Sequence, residues 1–379
     1  MSPSPVRALS IHADYGCRNS GACCSSGWDI PVEPDVEARL DAAVAAGTLG
    51  VRTSWSRPRS GLPHQARVVL RVSAAGECVF HEKGEPRLCA VHRQLGPEAL
   101  PSACRQFPRV ATLTPLGVSV TLSHYCPTAA GLLFRDGVPL AVVTDAPAFP
   151  ASWPHEGLDA RDALPPLARP GVLMSWASHE LFEAHAVTTL AREDVSPELA
   201  LAGLAATAER LRAWTVRDGD FDGFAARVTE ADAAPPPASE RSLDAALAGW
   251  ERAAASVPAG NPRPRTPRAD VEATGVARAD ALVDEGWAGL QAPVRRWLAA
   301  RAFASWLALQ GEGLRTTILG LRVALGVLRA EAARGCAEGS GRPLDAALLK
   351  EAIRRSDLLL HHLVDVEAFA RDLSRCETA

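Results

Sequence analysis

The 379-residue sequence predicts an α+β protein: a small, irregular, cysteine-rich and metal-stapled N-terminal domain (1–146), then a mainly α-helical domain (147–379). Three observations predict it. Seven of the nine cysteines fall in the first third. Short β-rich runs between loops occupy that same third. After about residue 150, Leu and Ala recur at three- and four-residue spacing with Arg and Glu between them, the period of amphipathic helices. A metal-stapled domain takes this form because the metal replaces part of the core.

In chain order, DVEARLDAAVAA (35–46) reads as a helix with Asp35 placed to cap it after Pro34. ARVVLRVS (66–73) reads as a strand. RVATLTPLGVSVTLS (109–123) is two β-rich runs around Pro115-Leu116-Gly117, a hairpin, and VPLAVVT (138–144) is a further strand. The proline-crowded stretch 147–170 is a connector. Helices are expected over 176–190, 196–215, 241–256, 269–289, 293–310, 313–335 and 343–373, with loops at 233–239 and 256–268. Trp287, Trp297 and Trp306 fall at roughly helical intervals and are expected as core anchors.

Composition narrows the class. The chain is 47% hydrophobic and 22% charged, with a net charge of −4, so no global field recruits nucleic acid or an anionic membrane. No run approaches the roughly 18 apolar residues of a membrane span, and the N-terminus has no apolar signal core. A cytoplasmic location is the expectation. A reducing compartment turns clustered thiols from disulfides towards metal or redox chemistry.

The candidate metal ligands are Cys17, Cys23, Cys24, Cys78, Cys89, Cys104 and Cys126. A gap of two hundred residues separates them from Cys336 and Cys376, which read as incidental. Thiolate selects zinc, copper(I) or iron–sulfur clusters, and four thiolates complete one tetrahedral zinc or one cubane. Seven exceed one site, and the adjacent Cys23 and Cys24 have side chains that diverge, so they serve different sites or one of them is structural. His81, His92 and His124 stand two or three residues from a cysteine and extend the donor set. Ten Arg or Lys face four carboxylates between Val51 and Val110, a field that lowers thiol pKa or holds an anion.

GACCSSGW, then C78VFH with LC89AVHRQLGPEALPSAC104RQFPR, then YC126PTAAGLL resemble the cysteine-cluster superfamily that chelates zinc or iron. Within it the chain is most similar to the flagellin lysine-N-methylases, over residues 15–133 and more weakly over 293–325 and 356–363. The resemblance implies an iron–sulfur (4Fe-4S) protein, with zinc as the alternative metal. It also implies S-adenosylmethionine as methyl donor and a flagellin-like protein as substrate, methylated on lysine. The seven cysteines carry over as cluster ligands; Trp28, Arg109 and Pro127 match motif positions without a role. The chain departs from the family pattern at His81, normally apolar, and at Asp357 and Leu360, while His361 is retained. The competing reading is a non-catalytic metal-binding or redox protein whose cluster is structural.

Other motifs do not complete. No G-x-G-x-x-G follows a strand, and the C-x₃-C-x₂-C spacing of radical S-adenosylmethionine enzymes is absent. Asp218-Gly-Asp220-Phe-Asp222-Gly223 imitates a calcium loop but meets Thr229 where the closing carboxylate belongs. His179-Glu180 fails as a zincin because Glu183 stands where the second histidine is needed.

Overall fold

The computed structural model describes residues 5–51, 54–63, 65–82, 89–231, 242–339 and 341–375. Cys376, the loop 233–239, and Arg52, Lys83, Glu85 and Arg87 of the basic stretch lie outside those residues.

The centre of the first half is a five-stranded sheet ordered Val142–Thr144, Val6–Leu9, Gly117–Leu122, Arg109–Thr114, Leu158–Asp159. The expected hairpin forms it: Arg109 pairs with Leu122 and Thr114 with Gly117 around a two-residue loop. Val6–Leu9 adds in parallel beside Gly117–Leu122, and Leu158–Asp159, from the expected connector, adds in parallel at the other edge. Both escaped the sequence reading because four and two residues are too few to display a period. Gly157 lets that edge strand approach, since a Cβ there would stand 2.1 Å from the Ala111 carbonyl oxygen. A second sheet joins Pro31–Val32, Val68–Leu70 and Ser56–Pro58, so the expected strand 66–73 shortens to its apolar centre.

The first helix spans Pro34–Ala45, and its N-cap is Glu33 rather than Asp35. Pro34 takes the first helical position, where its fixed φ and missing N–H fit, and Asp35 pairs instead with Arg39 at 2.7 Å. An apolar cluster fills this region: Trp28, Ile30, Val32, Leu40, Leu49, Trp55, Leu70, Phe80, Val91, Leu100 and Tyr125.

The second half packs around one 25-residue helix, Leu314–Glu338. Against it lie Leu243–Ala255, Ala346–Asp357, Pro197–Arg212 and Val276–Trp287. Ser175 and Ser196 cap the Trp176–Ala191 and Pro197–Arg212 helices by accepting from N3 amides. Three expected helices are interrupted. The 269–289 helix breaks at Gly275 (φ 89°), and 293–310 breaks at Ala304 (φ 54°). The 343–373 helix becomes an α-helix to Asp357, a π-helical turn Leu358–Leu363, and a last helix Val366–Arg375. Each break keeps apolar spacing on both sides, so periodicity alone runs across it.

Trp287 and Trp297 are fully buried core anchors as expected. Trp306 is not: it is half-buried, and its Nε1 donates to the Ala111 carbonyl at 2.9 Å, tying helix to sheet. Glu183, at the failed zincin position, is buried and accepts from the Ala304 amide at 2.9 Å and Arg7 at 3.3 Å, a structural role. No helix of the described residues is long and apolar enough to cross a membrane.

Candidate functional site

All seven cysteines of the first third line one cavity of about 340 Å³. Six local structures deliver them. Gly21, at φ 72°, opens the 3-10 turn Ala22–Cys24, and Gly16 and Arg18 flank Cys17 on the loop before it. The Cys78 amide donates to the Cys24 carbonyl at 2.7 Å, which fixes those two segments together. Cys89 and Cys126 are N-cap residues of the helices Ala90–Leu95 and Pro127–Leu132, and Cys104 lies within Ser102–Gln106. The walls between the thiols include Ile30, Leu70, Phe80, Leu100 and Phe107, a low-dielectric surround.

Cys23 and Cys24 open onto this same cavity, with Sγ atoms 3.9 Å apart. Hydrogen bonding with the Cys24 thiol holds Cys23 below the usual thiol range and Cys89 down at about 7. Cys24, hydrogen-bonded to both, is pushed upward. Burial raises Cys78 to about 12 and holds Cys104 well above the ordinary value. The Cys126 Sγ stands 3.7 Å from the Tyr15 hydroxyl. Among the described residues, no three Cys, His, Asp or Glu side chains are grouped to hold a single metal ion. The thiols surround a volume rather than a point.

The expected histidines divide. His92 lines the cavity. His81 does not; its two ring nitrogens are buried without partners among the described residues. His124 turns away to Asp357. The basic field is largely self-paired: Arg57 and Arg59 with Asp29, Arg93 with Glu82. Arg105 and Arg109 reach the cavity wall, Arg109 over the rings of Tyr15, Phe149 and Trp153. Cys336 is fully buried in the central helix and lines no part of the thiol cavity.

A second cavity of about 550 Å³ shares Ile30, Phe107 and Arg109 with the first. His361 and His362 form part of its wall, and behind them lies Asp357, 0% exposed. The Asp357 carboxylate accepts from the His124 amide at 2.5 Å, His124 Nδ1 at 3.1 Å, Trp297 Nε1 at 2.9 Å and Arg301 at 3.4 Å. Burial pushes its pKa up, but His361, His124 and Arg301 outweigh that and hold it well below the carboxylate range. His124 Nε2 in turn meets His12 Nε2 at 3.1 Å. His362 bonds Ser123 Oγ at 2.7 Å and stacks on Trp28 with centroids 4.2 Å apart. Burial lowers His361 to about 3 and His362 to about 4, so both rings are neutral at neutral pH. The sequence reading missed this network as a unit. Its one signal was a doubled histidine inside the apolar run LLLHHL.

Comparison with protein-family models, curated proteins and solved structures returns no match.

Proposed function

We propose that this chain is an iron–sulfur protein whose cluster is held in the thiol cavity by ligands drawn from Cys17, Cys23, Cys24, Cys78, Cys89, Cys104 and Cys126. We propose further that it transfers a methyl group from S-adenosylmethionine to lysine of a flagellin-like protein. One observation carries the first part: seven cysteines, spread over 110 residues of sequence, line a single cavity. The donor chemistry fits a soft, multinuclear group. Zinc, which four thiolates also complete, is the alternative metal. When bound, a cluster would cross-link the loops around it and supply a one-electron centre.

The methyl-transfer part rests on the motif resemblance of residues 15–133. Its chemistry needs a deprotonated amine, so that an N–C bond forms as the sulfonium C–S bond breaks. What this chain adds is a second cavity against the thiol cavity with uncharged His361 and His362 in its wall.

The deciding experiment is iron, acid-labile sulfide and zinc analysis of anaerobically purified protein, with its absorption spectrum. About four irons and four sulfides per chain, with broad absorption near 400 nm, is the expected result. Colourless protein carrying zinc alone would overturn it. Given the cluster, S-adenosylmethionine-dependent labelling of lysine in flagellin is the expected activity, and no transfer would leave a structural or redox cluster.

A further inference from the structure

The charge around the thiol cavity is one-sided. Among the described residues no Asp or Glu lines it, whereas Arg105 and Arg109 do. Arg105 is paired with Glu156 at 3.2 Å. Arg109 has no carboxylate partner among the described residues: its guanidinium makes one hydrogen bond, from Nη2 to the Ala148 carbonyl at 3.5 Å, and its Nε is buried without an acceptor. Other interior arginines are bonded more fully, Arg329 to Asp280 and Asp284, Arg334 to Glu331, and Arg296 to three carbonyls. Carboxylates do stand nearby. Arg109 also lines the neighbouring cleft of about 550 Å³, where Asp29 is taken by Arg57 and Arg59, Glu156 by Arg105 and Asp159 by Arg161.

Rings seat the guanidinium instead. Its Cζ lies 5.9, 5.8 and 5.1 Å from the centroids of Tyr15, Phe149 and Trp153. Burial lowers its pKa, and Tyr15 and Cys17 act the other way. A half-buried, under-bonded cation is costly unless a negative charge lies within reach. The chemistry of the cavity supplies one. Four thiolates around Zn²⁺ or around an oxidised cubane leave a net charge of about −2. The walls of Ile30, Leu70, Phe80 and Leu100 screen it poorly. Glu33 and Glu82 add to it from outside the lining, acting on Cys104 and Cys89. Through such walls a charge acts across several ångströms, so no direct contact with sulfur is needed.

We propose that Arg109 is the counter-charge of the metal–thiolate group in this cavity, a residue that acts on the group's charge and is not a ligand. The proposal rests on the reading of the seven thiols as a metal site, and holds for iron or zinc. With a cluster, one-electron reduction adds negative charge, which a fixed cation favours, so Arg109 raises the reduction potential. With zinc, it favours the deprotonated thiolates that bind the ion.

Anaerobic potentiometric titration of the full-length protein with dithionite tests it, with metal content measured on each sample. Arg109→Gln should lower the midpoint potential by about 59 mV, a tenfold change in the one-electron equilibrium constant. Arg109→Lys keeps the charge and should hold the potential near that of the parent. Ala148→Glu, from a half-buried loop position beside the guanidinium, gives Arg109 a carboxylate without replacing it and should lower the potential in the same direction. That variant carries the test if Arg109→Gln does not fold. If the parent holds zinc alone, chelator competition replaces the potential: Arg109→Gln should bind zinc about tenfold more weakly, and Arg109→Lys should not. This outcome removes the iron–sulfur reading and upholds the counter-charge. Equal potentials or affinities in the parent, Arg109→Gln and Ala148→Glu overturn the proposal while the metal site stands. An equal loss in Arg109→Lys and Arg109→Gln also overturns it, because that traces the effect to ring packing. A parent that binds neither metal overturns both the proposal and the reading beneath it.

Discussion

Asp357 is a carboxylate with no access to water, and its charge is held by side chains from two other segments, His124 from one and Trp297 and Arg301 from the other. Asp357→Asn removes that charge and leaves the Arg301 guanidinium uncompensated. The expected cost is about 3–5 kcal/mol, read from denaturant midpoints at unchanged m-value; a loss under about 1 kcal/mol would mean that Arg301 finds water. The histidines around it set an acid limit. His12, His361 and His362 stay neutral when folded, whereas the unfolded chain protonates them near 6.5. The unfolded state therefore binds more protons as pH falls below that value, and stability is lost from about pH 6.5 towards 4. Glu331 opposes this, because burial raises it to about 7 and folding favours its protonated form over about pH 4.5 to 7. Burial lowers His155 and His185 as well, so five histidines against Glu331 decide the sign. Melting temperature should fall between pH 6.5 and 4.5, and fall more steeply in Glu331→Gln. A flat profile in both proteins would contradict the burial argument. At the same scale, Cys78→Ser should lower bound metal and melting temperature, and Cys336→Ser should leave metal content as it is. Unchanged metal in the first variant would remove Cys78 from the ligand set. That the seven cysteines of the first third belong together was legible from their grouping in the sequence, and they line one cavity. The Asp357 network was not, because His124, Trp297 and Arg301 each lie more than 50 residues from Asp357 in sequence and only the folded structure brings them to it.

Long elements with an unbroken period were readable: the hairpin and the central helix match their expected positions within a few residues. Short strands and helix breaks were not, since each break depends on what packs against the chain. The π-helical turn shows it. Val364 donates to the Leu359 carbonyl at 3.0 Å, an i to i+5 bond, and the widened turn places both histidines in the cleft wall. Two helical glycines give a matched test of local packing. A Cβ on Gly286 would stand 1.9 Å from the Leu344 carbonyl oxygen, rigid backbone, while one on Gly320 would meet the Leu307 side chain at 2.1 Å. Alanine raises helix propensity by about 1 kcal/mol at either position. Gly286→Ala should still destabilise by about 1–3 kcal/mol, because the Leu344 amide also donates to Leu282 and holds that segment in place. Gly320→Ala should be close to neutral after Leu307 changes rotamer. Equal effects in thermal denaturation would show that the Leu344 segment yields as readily as a side chain.

The whole molecule joins its sheet to its helices by hydrogen bonds that only the complete chain satisfies. Thr112 and Thr121 donate from the hairpin to the carbonyls of Ala304 and Ala300, at 3.0 and 3.1 Å. Arg296 donates to the carbonyls of Leu133 and Val138, and Arg354 to that of Tyr125. Leu9, Ile11 and Leu133 belong to the same apolar cluster as the helical half. These links cross the expected boundary at residues 146 and 147, where a sequence reading by texture sees only a change of period. Separating the halves would strand buried threonines, His124 and Asp357 without partners, at about 1–3 kcal/mol for each lost partner. Calorimetry of the full chain should therefore show one transition whose van't Hoff and calorimetric enthalpies agree. Residues 1–146 expressed alone should lack a cooperative melt even with iron supplied. Two separated transitions, with the first moved by a chelator and the second not, would instead show that the thiol cavity and its ligand stabilise an independent unit.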